Sequence, residues 1–298
     1  MLRSCIAGNN ISAASAEKIA AFFGVDKAEL FTAQEDKGLS DKTIMHYHRL
    51  LSSIFTVAVQ WQVIFSNPCD RVKPPKVKRK EARYLDEHEA AELLKALDGE
   101  PFKYVAMIEL LLYTGLRRAE LLGLEWRDVD FLNSCIHIKR NSLYVADKGT
   151  FEGSTKNESS NRVIKLPESA VQLLKEYRKY QEGIIREMGT AWQGTGRLFT
   201  TIDGKPMHPD TLSGWFRKFV NRKGLPDVSI HSLRHTHATL MIAAGVNIKT
   251  VSSRLGHASV TTTGNIYTHA IKSADEAAAE IINDILTPKN SGNRTKIG

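Results

Sequence analysis

The stretch RVKPPKVKRKEAR (71–83) constrains this chain more than any other. Pro74 and Pro75 lack backbone N–H groups and push their neighbours out of the helical region, so an extended strap is expected here. Seven Lys/Arg residues stand against the single Glu81, within a chain whose formal net charge is +8. Like charges packed this closely repel one another and resist burial, which leaves the chain to fold on either side of the strap. An extended cationic segment suits a phosphate backbone. Arg71, Lys73, Lys76, Lys78, Arg79 and Lys80 are therefore expected to contact nucleic acid.

The remaining composition narrows the class. The 298 residues, 42% hydrophobic and 25% charged, suffice for two domains and a sizeable core. The longest apolar run, MIELLLYTGL, is interrupted by Glu109 and is too short to span a bilayer, and no signal peptide is evident. Cys5, Cys69 and Cys135 are scattered without a CxxC pair, so neither a disulfide framework nor a cysteine zinc site is indicated. The expectation is a protein of the reducing cytoplasm, with no membrane partner.

Ahead of the strap the pattern is helical. ISAASAEKIAAFFGVDKAELF reads as two short helices broken at Gly24, and Ser40 caps a longer helix with an apolar stripe at Ile44, Tyr47, Leu51, Ile54, Phe55 and Ala58. Leu39 and Ile44 are spaced as a hydrophobic staple. Lys42, His46, His48 and Arg49 occupy much of the other face, where they could meet phosphates. Beyond the strap, Asp86 and Glu89 form a capping box ahead of Leu93, Leu94 and Leu97, and residues 101–113 form an apolar helix stopped at Gly115. SCIHIKR (134–140) and NRVIKLP (161–167) alternate as strands of a small antiparallel sheet, with Val163 out of pattern. Between them a hairpin with a long polar tip carries Lys148, Gly149, Gly153 and Lys156. From Glu168 the chain is mostly helical, and the tail PKNSGNRTKIG is expected to be disordered. The fold class expected is mainly α with a small antiparallel β-sheet (α+β).

The chemistry concentrates in HSLRHTHATL (231–240). His231 and His235 have the spacing of a helical zinc pair, but Ser232 stands where a metalloprotease helix needs a glutamate, which argues against metal. His231 and Arg234, three residues apart, share a helix face. Arg234 offers a permanently charged fork for phosphate oxygens, and His231 can exchange a proton near neutral pH. His235 is expected to pack locally and His237 to be solvated. Gly256 in RLGHASVTTTGNIYTH breaks the preceding helix and aims His257 out of its end, with Tyr267 ten residues later. TGLRRAELL sets Arg117 just past the apolar helix, with Glu120 three residues on. Arginines, histidines, a hairpin lysine and a tyrosine together suit attack on a phosphodiester by a phenol oxygen.

TGLRRAELLGLEW, STKNESSNRVIKLP, HSLRHTHATL and LGHASVTTTGNIYTH, in that order, resemble the four signature blocks of the tyrosine recombinase (phage integrase) family. The resemblance covers roughly residues 39–287 and is nearest to integrases of phages and conjugative transposons in Gram-positive bacteria. It implies that Arg117 and Arg234 clamp the scissile phosphate, that Lys156 protonates the departing 5′ oxygen, and that His231 assists proton transfer. It further implies that His257 hydrogen-bonds the phosphate, that Tyr267 forms a 3′-phosphotyrosyl link, and that Glu120 buttresses Arg117. No metal, nucleotide or other cofactor is needed, because the covalent link conserves the phosphodiester energy.

The implied organisation is a helical core-binding domain over residues 1–70, a basic linker over 71–84, the catalytic domain over 85–287 and a tail over 288–298. Relatives usually begin with an arm-binding domain, whereas the first residues here read as starting inside the core-binding domain, which implies an internal start at Met1, a truncated gene or a compact form. The implied function is integration or excision of a mobile element at double-stranded DNA attachment sites by a homotetramer, with an excisionase or host DNA-bending protein as possible accessory. Three other functions share much of this pattern: a Xer-type chromosome dimer resolvase, a type IB topoisomerase and a catalytically silent DNA-binding regulator.

Overall fold

A computed structural model describes residues 12–32, 38–77, 83–154, 161–257 and 259–266. The chain forms two compact units, Met1–Lys80 and Glu81–Gly298.

In the first unit, α1 (Ala13–Phe23) starts at Ser12, whose side chain accepts from the Ser15 N–H, and ends at Gly24 in the left-handed conformation (φ 65°). The short α2 (Lys27–Leu30) follows an Asp26 cap. The break at Gly24 is thus where glycine alone adopts the required φ without strain. α3 (Asp41–Gln60) begins at Ser40 as its capping pattern predicts, the hydroxyl accepting from Thr43 N at 3.2 Å. The apolar stripe of α3 is regular, yet no residue of the helix is buried, and Tyr47 and Ile54 are each more than half exposed. Leu39 and Ile44, spaced as a staple, are both exposed too. The turn Pro68–Arg71 packs on α3. Asn67 Nδ2 donates to Ser52 O at 3.0 Å, and His48 Nε2 bonds Val72 O at 2.9 Å and Cys69 O at 3.3 Å. His48 therefore fastens its own unit instead of facing phosphates. Lys42, His46, Arg49, Arg71, Lys73 and Lys76 are exposed, whereas Lys78, Arg79 and Lys80 lie outside the described residues.

The second unit holds the main core. α4 (Glu87–Ala96) opens with the capping box expected from Asp86 and Glu89. α5 (Phe102–Thr114) is apolar on nearly every side because it is buried, packing against α7 (Glu168–Met188) and α9 (Ile230–Ala243). Met107, Ile108, Leu110, Leu111, Leu174 and Leu233 are fully buried. Each such side chain contributes about 1.5–3 kcal/mol relative to exposure. α6 (Arg118–Gly123), α8 (Pro209–Lys223), α10 (Ile248–Leu255) and α11 (Val260–Ile266) complete the helices among the described residues.

The β-structure is split in two. β1 (Val129–Asp130), β2 (Cys135–Ile138) and β5 (Arg162–Lys165) form an antiparallel sheet in the order β1-β2-β5, with Cys135 opposite Lys165 and Ile138 opposite Arg162. β2 and β5 fall within the two alternating segments. β3 (Arg140–Val145) and β4 (Gly149–Ser154) form a separate antiparallel pair. Much of the expected polar tip is therefore paired strand, turning at Lys148, whose N–H bonds Val145 O at 3.0 Å. Lys156 and the C-terminal tail lie outside the described residues.

Candidate active site

Two helix ends build the site. α5 stops at Gly115 (φ 65°) and α10 stops at Gly256 (φ 66°), both left-handed. A helix C-terminus carries carbonyls without intrahelical donors and a partial negative charge, which favours cations. Arginines supply those donors. Arg234 gives one nitrogen to Gly115 O at 2.7 Å and another to Leu255 O at 2.6 Å, so it ties the two helix ends together. Arg117 reaches Gly256 O at 3.3 Å. Arg254 bonds Tyr113 O at 2.9 Å, and Arg162 Nε bonds Arg254 O at 2.7 Å.

Neither terminal glycine can be replaced without a collision. A Cβ on Gly115 would lie 2.6 Å from the His237 ring and 2.8 Å from Leu255. A Cβ on Gly256 would meet the Arg162 guanidinium at 2.8 Å. The glycines thus serve both the left-handed turn and the close approach of the side chains beneath it.

Glu120 organises the arginines. It is 2% exposed, and its carboxylate accepts from Arg117 N–H at 2.9 Å and Arg117 Nη1 at 2.8 Å. From the other side, Arg162 donates to the same carboxylate at 3.1 and 2.9 Å. Burial pushes the Glu120 carboxyl up, but the hydrogen bonds and charges of Arg162 and Arg117 outweigh it and hold the pKa below the usual glutamate value. Arg117 remains 39% exposed at its side chain, while Arg234 lies buried.

The histidines divide by partner. His231 stands at the open end of α9, and partial burial together with Arg234 and Arg117 lowers its pKa. His235 sets its ring edge-to-face on His231 at 4.8 Å, in keeping with local packing, and burial with the His231 and Arg234 charges pushes it down to about 4. His257 bonds Thr263 Oγ1 through Nδ1 at 2.8 Å, and burial, Arg234 and Arg117 push its pKa down to about 4. His237 was expected to be solvated, but it is 7% exposed. Its Nδ1–H donates to Leu112 O at 2.7 Å, and its Nε2 accepts from Arg254 Nε at 3.3 Å. A carbonyl on one side and a guanidinium on the other fix a neutral tautomer, with the pKa pushed down to about 4, mainly by burial.

Arg117, Glu120, His231, Arg234 and His257 are therefore brought together, while Tyr267 follows α11 in sequence and lies, like Lys156, outside the described residues. Sequence reasoning missed Arg162, Arg254 and His237. The two arginines sit inside the blocks already singled out, in NRVIKLP and RLGH. A cleft of about 620 Å³ opens beside His231, lined in part by Arg118, Ser213, Arg217 and Asp227.

Two helix ends stitched by arginines, with histidines of lowered pKa beside them, set fixed positive charge next to proton-exchanging groups, an arrangement suited to an anionic ester. Residues 83–274 match the family model described as the phage integrase family, and the chain belongs to that family. It is 34% identical over 266 residues to a tyrosine recombinase XerC-like protein of Caldanaerobacter subterraneus subsp. tengcongensis, covering 84% of this chain and 68% of that one. It is 28% identical to the ICEBs1 integrase of Bacillus subtilis, with the same two coverages. In three dimensions it is similar to the Tn1549 transposon integrase in complex with circular intermediate DNA, at 27% identity and a TM-score of 0.68, over 91% of this chain and 86% of that one. Among the described residues, no helix is long and apolar enough to cross a membrane.

Proposed function

We propose that this chain is a site-specific DNA recombinase that integrates or excises a mobile element through a 3′-phosphotyrosyl intermediate. The convergence of Arg117, Arg234, His231 and His257 where α5 and α10 end carries the reading. A phosphodiester is a monoanion that becomes a dianionic phosphorane during attack, and Arg117 and Arg234 supply fixed positive charge where that second charge develops. Tyr267 Oη forms the bond to phosphorus as the bond to the 5′ oxygen breaks. His231, held neutral by its surroundings, takes the phenol proton, and Lys156 gives a proton to the 5′ oxygen. His257 hydrogen-bonds the phosphate. The 5′ hydroxyl of the partner strand then reverses the step, returning the proton to Tyr267 and resealing the backbone.

Residues 1–70, with the exposed cations of α3, serve as the core-binding domain, residues 71–84 as the linker across the DNA backbone, and residues 85–287 as the catalytic domain; the boundary between the two compact units falls within that linker. Exchange between two duplexes breaks four strands, and one nucleophile per chain calls for a homotetramer. An excisionase or a host DNA-bending protein sets the direction of the reaction.

The test is an exchange assay on DNA carrying the junctions that flank the gene. Recombinant product only with those junctions is expected. Relaxation of any supercoiled plasmid, with no recombinant product, would instead identify a topoisomerase.

A further inference from the structure

Away from the arginines, β1 and β2 gather three donor side chains that the recombination chemistry does not use. Cys135 and His137 alternate onto one face of β2, and Asp130 is the register partner of Cys135 on β1. Asp130, Cys135 and His137 each offer one ligand atom, all within 4.8 Å of one another, and Cys135 Sγ lies 4.0 Å from His137 Nε2. Ligand atoms around a tetrahedral zinc, with bonds of about 2.0–2.3 Å, stand about 3.3–3.8 Å apart. The widest gap therefore has to close by about 1–1.5 Å for the three donors to share one ion.

The surroundings already orient the carboxylate. Asn133 holds both Asp130 oxygens, through its backbone N–H at 2.9 Å and Nδ2 at 2.7 Å, the kind of outer support that fixes a ligating carboxylate. Lys165, opposite Cys135 on β5, turns its Nζ onto Asn133 O at 2.8 Å instead of pairing with the carboxylate. Ser134, in the turn between the strands, is a non-glycine residue held at φ 49°, a conformation that persists where its surroundings over-determine it.

We propose that Asp130, Cys135 and His137 form a zinc site that staples the β1–β2 turn, with water as the fourth ligand. Thiolate, imidazole and carboxylate together are a donor set suited to Zn²⁺ and ill-suited to Mg²⁺ or Ca²⁺. Binding releases the Cys135 thiol proton to solvent, and no redox step is involved. The sequence hid this site because its ligands are a Cys-x-His pair on one strand and a cross-strand aspartate, not a CxxC motif.

Full-length protein, stripped with chelator and kept reduced, is titrated with Co²⁺ as a spectroscopic stand-in for zinc. One equivalent is expected to give a thiolate-to-cobalt charge-transfer band and the visible bands of a four-coordinate ion, both abolished by one equivalent of Zn²⁺. Cys135→Ser should remove the charge-transfer band, while Cys5→Ser and Cys69→Ser keep it. His137→Gln and Asp130→Asn, which preserve shape, should each raise the dissociation constant by more than about tenfold, the loss seen when even an outer-sphere partner is removed. Absence of the band in the wild-type protein, its survival in Cys135→Ser, or unchanged affinity in both other variants would overturn the assignment.

Discussion

Glu120 is gripped from behind by Arg162, whose two terminal nitrogens meet its carboxylate at 3.1 and 2.9 Å while the same carboxylate holds Arg117 in front. The side chain of Arg162 is 7% exposed and that of Glu120 2%, so the two charges are buried together and each is a principal partner of the other. Glu120→Ala removes the carboxylate that neutralises the buried Arg162 guanidinium and should cost about 3–5 kcal/mol in stability, measured by denaturant unfolding. Arg162→Lys keeps the charge but loses the two-pronged contact that aims Arg117. Single-turnover cleavage should slow by about a hundredfold with DNA affinity nearly unchanged, since a displaced catalytic group loses rate rather than binding. Equal loss of binding and rate would make Arg162 a general fold residue.

The histidines predict a pH profile. His235, His237 and His257 sit at about 4 and His231 below its usual value, so the folded protein binds fewer protons than the unfolded chain between that range and about 6.5. Groups with depressed basicity stabilise the fold fully above the unfolded pKa, and that stability is lost as pH falls from about 6.5 towards 4. Glu120, also depressed, withdraws its contribution only below the usual glutamate range. Histidine ring resonances followed by NMR should show His231 titrating below its free value and moving up when duplex DNA neutralises Arg117 and Arg234. A His231 that titrates normally in free protein, or does not move with DNA, contradicts the electrostatics described.

Lys156 is tested by its leaving group. An alkoxide leaves poorly without a proton, so Lys156→Ala should slow cleavage by about 10²–10⁴-fold. A bridging 5′ sulfur leaves without that help and should restore much of the rate. The same sulfur should not rescue Arg117→Ala, whose defect is in charge stabilisation. Equal slowness on both substrates would make Lys156 a positioning residue.

The strap is tested by salt. Replacing Lys76, Lys78, Arg79 and Lys80 by alanine should weaken binding to all sequences alike and reduce the log–log salt slope by about 0.9 per lost phosphate contact. An unchanged slope would remove the strap from the DNA interface.

Local signals carried much of this molecule. The caps at Ser40 and Asp86, the stops at Gly24 and Gly115, and the alternation that marks the strands around Cys135 and Arg162 all depend on neighbours a few residues away, and all were legible. Contacts over long separations were not. His237 reads as one more surface histidine until α5 presents Leu112 O and α10 presents Arg254, 125 and 17 residues distant. His48 likewise looked like a phosphate contact because the carbonyls it binds lie 21 and 24 residues downstream. The exposed stripe on α3 shows the converse, since periodicity marks a face that can be buried without saying what covers it.

The identity of the nucleophile decides whether the arginine-stitched site is a recombinase centre. Wild-type protein and Tyr267→Phe are incubated with a nicked duplex that traps the cleaved strand and then run on a denaturing gel, with DNA affinity measured in parallel. The wild type should give a covalent protein–DNA adduct that protease digestion reduces to a phosphotyrosyl peptide containing residue 267. Tyr267→Phe should give none while binding the duplex with nearly unchanged affinity, because the substitution removes only a hydroxyl. An adduct from Tyr267→Phe, or a wild-type adduct mapped to another tyrosine, would contradict the mechanism.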